Sequence, residues 1–277
     1  MLLIFILIFM HVLGDFYFQT NKIANKKIGS HSFWPNFKWL LIHVAIYTLF
    51  FLPLILMVSS WKSVILLVII FVSHLLIDGL SCFFKKKKCF KSVVFIIDQI
   101  LHIAMLLAIG YFAPNYMTFK PWQILVTYQK QFELIVCLLL LMKPSSVLID
   151  IIFSDIDFNV QSSKINNNQT QENLEIQKFN NKNDINSENN VKSSEKKKTL
   201  DPGLIIGIAE RFITFFLSIV NAYSALAIII TVKTWARQKE IKKNKKGFGN
   251  KYLIGTLLSL AIAIGVGIFC ANVILKQ

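Results

Sequence analysis

Apolar residues along the chain fall into seven long stretches separated by polar or basic segments. The stretches cover residues 1–18, 39–58, 64–80, 92–113, 132–153, 203–232 and 252–275. Most approach the roughly 20 residues that a helix needs to cross a bilayer. The first stretch lacks the basic start and cleavage site of a secretory signal, so we expect it to remain as a helix. The pattern predicts an all-α, polytopic bundle of about six to eight transmembrane helices.

One long segment breaks this pattern. Residues 154–201 are rich in Asn, Lys, Ser, Glu and Gln. Such a composition cannot bury enough apolar surface to offset its ordering entropy, and it predicts a disordered, polar linker. The linker divides the chain into N-terminal membrane helices, residues 1–153, and C-terminal membrane helices, residues 202–277.

Composition and charge fit a membrane protein. Hydrophobic residues make up 55% of the 277 positions, and the formal net charge is +15. This apolar content exceeds what a soluble domain buries. Because the lysines flank the apolar stretches, the charge indicates contact with the bilayer and with anionic lipid headgroups rather than with nucleic acid. The four cysteines show no metal or disulfide spacing, and we interpret them as structural thiols.

Basic residues predict the orientation. They concentrate in the segments 20–38, 81–91 and 234–251, which we expect to face the cytoplasm. If every apolar stretch crossed the membrane once, the segment 234–251 would lie on the opposite side from the other two. Either 132–153, interrupted by Lys143 and Pro144, is therefore partly interfacial, or 203–232 is a hairpin of short helices.

The acidic residues of the N-terminal part follow a rule. Every carboxylate in the first 113 residues lies four positions from a histidine. The pairs are His11 with Asp15, His74 with Asp78, and Asp98 with His102. Four-residue spacing places both side chains on one helix face. Ionised groups in hydrocarbon cost at least about 2.5–3.5 kcal/mol each, so they persist where they pair, bind an ion or line a wet cavity.

Other polar residues extend these faces. His43 lies four residues before Tyr47, which could bond the imidazole or a ligand. Gln19 and Lys26 continue the face of Asp15 towards the basic edge. With the predicted orientation, four helices bring their polar groups to one cytoplasm-proximal layer.

Imidazoles and carboxylates in one layer suit a divalent metal such as Zn, Mn or Fe. The candidate ligands are His11, Asp15, His43, His74, Asp78, Asp98 and His102. A bound metal would generate hydroxide from water, with Asp15 or Asp98 as the catalytic base. The pairs could instead form interhelical clamps without metal. In the C-terminal part, Glu210 could complete the acidic site or pair with a lysine, and Arg211 could hold a phosphate or a headgroup.

These motifs resemble a known family. His11-Val-Leu-Gly-Asp15, His43 with Tyr47, His74-Leu-Leu-Ile-Asp78 and Asp98-Gln-Ile-Leu-His102 are similar to motifs of the bacterial membrane family catalogued as domain of unknown function 3307. Gly207-Ile-Ala-Glu210-Arg211, Lys233-Thr-Trp-Ala-Arg237 and Tyr252-Leu-Ile-Gly255 look like its C-terminal motifs. The resemblance covers nearly the whole chain except the linker. It implies a bacterial multi-pass membrane protein, and it supplies no activity.

Three functions remain open from the residues. The first is a metal-dependent hydrolase that cleaves an ester, amide or phosphodiester in a lipid or a membrane-proximal substrate. The second is an ion- or proton-coupled transporter that uses the same residues as a relay. The third is a structural or partner-binding membrane protein.

Overall fold

The fold is helical, as the apolar pattern predicts. The computed structural model describes residues 1–19, 33–58, 61–86, 91–175, 202–236, 238 and 248–275. Within these ranges the chain is helical apart from turns, short irregular segments and one isolated bridge between Val58 and Phe119. The all-α prediction is therefore confirmed.

The described residues form ten α-helices, and two of them continue as short π-helices. The helices are α1 (Leu2–Val12, continued by the π-helix Leu13–Tyr17), α2 (Phe33–Leu49), α3 (Pro53–Met57), α4 (Lys62–Lys86), α5 (Lys91–Tyr116), α6 (Gln123–Thr127), α7 (Gln129–Glu175), α8 (Pro202–Ile219), α9 (Tyr223–Ala236) and α10 (Phe248–Phe269, continued by the π-helix Cys270–Ile274).

Five helical segments of the described chain are long and apolar enough to cross a membrane. They are Phe37–Met57, Lys62–Phe84, Lys91–Tyr116, Gln129–Ile156 and Tyr252–Ile274. This number is below the predicted six to eight. The difference arises because two apolar helices, Leu2–Tyr17 and Tyr223–Ala236, are shorter than a full span.

The apolar stretch 203–232 is not one helix. It breaks between α8 and α9 at Asn221, whose φ of 56° lies in the left-handed region that asparagine tolerates. The chain then folds back, since Lys233 of α9 forms an ion pair with Glu210 of α8. Residues 132–153 lie inside one continuous apolar segment, Gln129–Ile156. Of the two predicted alternatives, an interfacial segment 132–153 or a hairpin at 203–232, the structure shows the hairpin.

The segment that composition predicts to be a linker begins as helix. Helix α7 continues past residue 153 to Glu175. Once a helix is formed, each added residue gains a backbone hydrogen bond, so an apolar span can extend into a polar sequence. Residues 176–201 lie outside the described part of the chain, and the division into two membrane parts stays a prediction.

The buried apolar side chains form two clusters on either side of α1. One includes Leu7, Tyr47 and Ile70 from α1, α2 and α4. The other includes Phe5 of α1 together with residues of α7, α8 and α10, among them Leu141 and Phe215. Because both faces of α1 are covered, its polar groups lie deep inside the bundle.

Several helix ends meet at one end of the bundle. The carboxylate of Asp155 in α7 accepts hydrogen bonds from the backbone N–H groups of Lys91 and Ser92, at 3.2 and 2.7 Å, and thereby caps the start of α5. We call this region, with the adjoining end of α4 and the open end of the α8–α9 hairpin, the polar end. Asp78 and Asp98 lie about two turns inside it.

Candidate metal centre

Histidine and aspartate side chains from four helices meet in one buried cluster near the polar end. They are His11 and Asp15 from α1 and its π-helix, His43 from α2, His74 and Asp78 from α4, and Asp98 and His102 from α5. Each residue is between 1% and 9% exposed. The structure thus brings together all seven residues that the sequence selects as candidate ligands.

Four donor atoms form the middle of this cluster: Asp15 Oδ1, His43 Nε2, His74 Nε2 and Asp78 Oδ2. His43 Nε2 lies 3.2 Å from Asp15 Oδ1 and 3.3 Å from Asp78 Oδ2. His74 Nε2 lies 3.4 and 3.9 Å from the same two oxygens. The two imidazole nitrogens are 3.2 Å apart. We call these atoms the four-donor centre.

The spacing around the two imidazole nitrogens is close to that of a metal coordination shell. Ligand atoms arranged tetrahedrally at 2.0–2.2 Å from a zinc ion are about 3.3–3.6 Å apart. The His–His separation and three of the four His–Asp separations are 3.2–3.4 Å, and that between His74 and Asp78 is longer, at 3.9 Å. Two overlapping triads, His11–Asp15–His74 and His43–His74–Asp78, each bring their donor atoms within 4.8 Å of one another. These groups could hold a metal ion.

His11 and Tyr47 support the centre from one side. His11 Nδ1 lies 3.1 Å from the Tyr47 hydroxyl and 3.8 Å from Asp15 Oδ2, the carboxylate oxygen outside the four-donor centre. The Tyr47 ring stacks on His74 with a centroid distance of 3.6 Å and an interplanar angle of 8°. Tyr47 therefore fixes one imidazole by stacking and a second by hydrogen bonding.

Asp98 and His102 lie beside the four-donor centre rather than in it. The Asp98 carboxylate accepts hydrogen bonds from Ser81 Oγ and from Gln99 Nε2. His102 Nδ1 donates to the Asp98 carbonyl at 2.9 Å, and its ring lies 4.4 Å from the ring of His74. Metal ligation by these two residues stays a prediction.

Three buried ring nitrogens have no hydrogen-bond partner within the described ranges. They are His11 Nε2, His74 Nδ1 and His102 Nε2. Buried polar atoms without partners are rare in folded proteins, and a bound ion or water is a common explanation. Their presence in one cluster suits a site that holds a further species.

The local structure of α1 positions Asp15. The helix widens into a π-helix over Leu13–Tyr17, so Asp15 lies in a turn of a type that is frequent at functional sites. Gly14 precedes it, and a Cβ at this position would lie 2.7 Å from Cδ2 of Tyr47. The glycine therefore allows Tyr47 to approach α1.

The remaining predicted residues lie elsewhere. Gln19 follows the π-helix and is half-buried, and Lys26 lies outside the described residues. Glu210 pairs with Lys233, the lysine partner that the sequence allowed. Arg211 contacts the α7 backbone and Ser146 instead of the cluster.

Ser81 and Gln99 are polar neighbours of the cluster that the sequence did not single out. Gln99 follows Asp98 directly, and Ser81 lies three residues after Asp78. A search for polar residues within one turn of each carboxylate would have found both.

Comparison with known proteins gives a family for the N-terminal part. The family described as protein of unknown function (DUF3307) matches residues 3–133, and this part of the chain is similar to it. The match contains the whole cluster, whereas the motifs from Gly207 onward lie outside it. Neither a curated protein nor a solved structure matches the chain.

Proposed function

We propose that this DUF3307 region binds a divalent transition metal, Zn, Mn or Fe, between Asp15, His43, His74 and Asp78. The proposal rests mainly on the environment of His43 Nε2. Three electronegative atoms lie within 3.3 Å of it: Asp15 Oδ1, Asp78 Oδ2 and His74 Nε2. A proton on His43 Nε2 can be donated to only one of these atoms, whereas a metal cation between them can bind all of them together.

Charge balance supports the same proposal. Two carboxylates offset the charge of a divalent cation, and two neutral imidazoles complete the shell. The assembly has no net charge, which limits the cost of burying it in a membrane segment. Without a metal, the two buried carboxylates would have only imidazole protons at the same depth to offset their charge.

Metal content tests the proposal. The protein is purified in detergent, supplied with Zn, Mn or Fe, and examined by elemental analysis. We expect about one ion per chain in the wild type and none in His43→Ala, because a primary ligand is lost. Asp150→Asn is the control, since this exposed carboxylate of α7 lies away from the centre. A folded wild type that takes up no transition metal would contradict the proposal.

The reaction that fits such a centre is hydrolysis of an ester, amide or phosphodiester in a lipid or a membrane-proximal substrate. A bound metal lowers the pKa of water to about 7 and supplies hydroxide. Asp15, through Oδ2, or Asp98 would accept the proton. Hydrolysis would also require room for a water molecule beside the residues that would hold the metal.

Lipid turnover tests the reaction. Proteoliposomes of defined lipids are incubated with metal-loaded protein, and the products are identified by mass spectrometry. If Asp98 is the base, Asp98→Asn keeps the metal and loses at least about 100-fold in rate. Unchanged lipids with the metal-loaded wild type would argue against lipid hydrolysis.

Burial of the centre favours a second candidate function. The four residues are 1–9% exposed, so described residues enclose the site, as expected for an ion held inside a transport path. In this case the metal is the cargo. Metal uptake into proteoliposomes that carry a metal-sensitive dye would be expected for a transporter and absent for a hydrolase.

We also propose that the protein lies in a bacterial inner membrane with the polar end towards the cytoplasm. The basic segments 20–38, 81–91 and 234–251 support this, because the described helix ends next to them in sequence lie at the polar end. Lysine and arginine in short loops are retained on the cytoplasmic side.

A further inference from the structure

The four-donor centre is enclosed by the bundle, so a metal ion needs a route to it. Its residues, Asp15, His43, His74 and Asp78, are between 1% and 9% exposed. A divalent cation gives up its bound water at a large cost in free energy, and this cost is offset only where protein groups replace the water. A route to the centre therefore requires ligand atoms between the helix ends and the four donors.

His102 carries a ligand atom of this kind. The side chain is 3% exposed, and its Nδ1 lies 2.9 Å from the Asp98 carbonyl. Because a carbonyl only accepts hydrogen bonds, the ring proton lies on Nδ1 and the lone pair lies on Nε2. Within the described ranges, this Nε2 has no hydrogen-bond partner. Histidines that bind metals are held in the same way, by a hydrogen bond from the other ring nitrogen to a carbonyl or a carboxylate.

His102 also lies against the four-donor centre. Its ring centroid is 4.4 Å from that of His74, whose Nε2 belongs to the centre. On another side the ring stacks on His11, with a centroid distance of 5.3 Å and an interplanar angle of 26°. A metal ion on His102 would thus have a ligand of the centre as its direct neighbour.

Asp98 lies on the polar-end side of His102. It precedes His102 by four residues, or about 6 Å along α5, and α5 begins at the polar end. Its carboxylate accepts hydrogen bonds from Ser81 and Gln99, and its Oδ2 lies 3.9 Å from His102 Nδ1. Both hydrogen-bond donors are neutral, so they fix the carboxylate without cancelling its charge. Each carboxylate oxygen also has a second lone pair for a cation.

We propose that Asp98 and His102 form a transit site, which takes up the metal ion from the polar end and passes it to the four-donor centre. The proposal rests on the metal centre proposed above, and it applies equally to a resident ion and to a cargo ion. A transit site lowers the barrier in both directions. It therefore changes the rates of uptake and release together and leaves the affinity of the centre unchanged, whereas loss of a permanent ligand lowers the affinity.

Metal-uptake kinetics test the proposal. The full chain is purified in detergent without metal and mixed with Zn²⁺, uptake is stopped at intervals with excess chelator, and the retained zinc is measured by elemental analysis. Asp98→Asn keeps the shape of the side chain and removes its charge. We expect uptake at least about tenfold slower, because an attracting charge raises association rates by this order. Release into excess chelator should slow by the same factor, and the final content should stay at about one ion per chain.

Two further variants complete the comparison. His102→Phe keeps an aromatic ring and removes the ligand nitrogen, so it should slow uptake as Asp98→Asn does. Glu133→Gln is the matched control for the loss of a buried carboxylate. Glu133 is 1% exposed, accepts a hydrogen bond from Gln129 at 2.8 Å, and lies about six turns of α7 away from Asp155 at the polar end. Its uptake should match that of the wild type.

The outcomes separate the two proposals. A wild type that takes up no zinc would overturn the metal centre and the transit site together. A wild type that binds zinc, with uptake equally fast in Asp98→Asn and His102→Phe, would overturn the transit site alone. A lower final zinc content in the folded variants would also contradict it, as would an equal slowing in Glu133→Gln. If His102→Phe does not fold, the comparison of Asp98→Asn with Glu133→Gln decides.

Discussion

Tyr47 links the aromatic and ionic parts of the cluster. Its ring covers His74, and its hydroxyl lies 3.1 Å from His11 Nδ1, which in turn faces Asp15 Oδ2. The phenol therefore acts on the four-donor centre through His11 and Asp15, as residues behind metal ligands commonly do. Tyr47 thus positions candidate ligands.

Substitution of Tyr47 by Phe separates the two roles. The stacking ring stays and the hydroxyl is lost, so we expect unchanged metal stoichiometry and an affinity about tenfold weaker in a chelator competition assay. Tyr17→Phe serves as the control, because its hydroxyl donates to the Leu139 carbonyl away from the cluster. Identical affinities for the two variants would show that the Tyr47 hydroxyl has no role in metal binding.

At the scale of elements, the π-helix at Leu13–Tyr17 is the least regular part of the site. It allows α1 to present His11 towards Tyr47 and Asp15 towards His43 and His74. Close approach of α2 depends on Gly14. Another glycine near the centre, Gly79, has more room, since a Cβ there would lie 3.9 Å from Leu40.

Substitution of the two glycines by alanine should affect the free energy of unfolding differently. Gly14→Ala meets Tyr47 at 2.7 Å and should lower the free energy of unfolding by about 1–3 kcal/mol. Gly79→Ala should leave it unchanged or raise it by up to about 1 kcal/mol, because alanine favours a helix. Unfolding by SDS in mixed micelles measures both. A stable Gly14→Ala would contradict the tight approach of Tyr47.

Helix α7 contains Pro144, which has no N–H to donate to the Leu140 carbonyl. The next two carbonyls, of Leu141 and Met142, accept additional hydrogen bonds from Arg211 and from the neighbouring serines. Arg211 thus stabilises the turn that the proline weakens, and it links α8 to that turn.

A double-mutant cycle tests this link. Arg211→Met should cost on the order of 2 kcal/mol in unfolding free energy, because charged hydrogen bonds are lost. In a Pro144→Ala background the cost should fall by at least about 1 kcal/mol, because a proline ring bends a helix and a straighter helix turns the Leu141 and Met142 carbonyls away from Arg211. Additive costs would mean that the proline and the arginine act independently.

Sequence spacing predicts part of this arrangement and misses the rest for physical reasons. The pairs His11/Asp15 and His74/Asp78 are set by helix geometry, so a four-residue rule finds them. The selection of Asp15, His43, His74 and Asp78 over Asp98 and His102 depends on how α1, α2, α4 and α5 pack, which local spacing does not contain. Likewise, Arg211 finds its acceptors in another helix, 65 to 70 positions away.

At the scale of the whole molecule, the hairpin of α8 and α9 explains how all three basic segments can lie on the same side of the membrane. With five candidate spans and a hairpin that returns, the described helix ends next to the segments 20–38, 81–91 and 234–251 all lie at the polar end. One orientation therefore satisfies all three, and the short α1 and the break at Asn221 explain why counting apolar stretches overestimates the crossings.

Reporter fusions test the orientation. A periplasmic reporter fused after Met117 should be active, whereas fusions after Phe84 and after Ala236 should be active only with a cytoplasmic reporter. The Ala236 fusion is decisive, because a single crossing in place of the hairpin would reverse it. Activity of that fusion in the periplasm would contradict the folded-back path of α9.

The cap on α5 has a consequence for how the chain can be divided. The family match ends at residue 133, within the first turns of α7, yet Asp155 further along this helix binds the first amides of α5. A fragment of the matched region alone would leave that helix start without its acceptor. Fraying would then begin at Lys91 and proceed towards Asp98 and its bond to Ser81. Excision of the matched region as an independent unit would thus loosen the helix that walls its own His/Asp cluster.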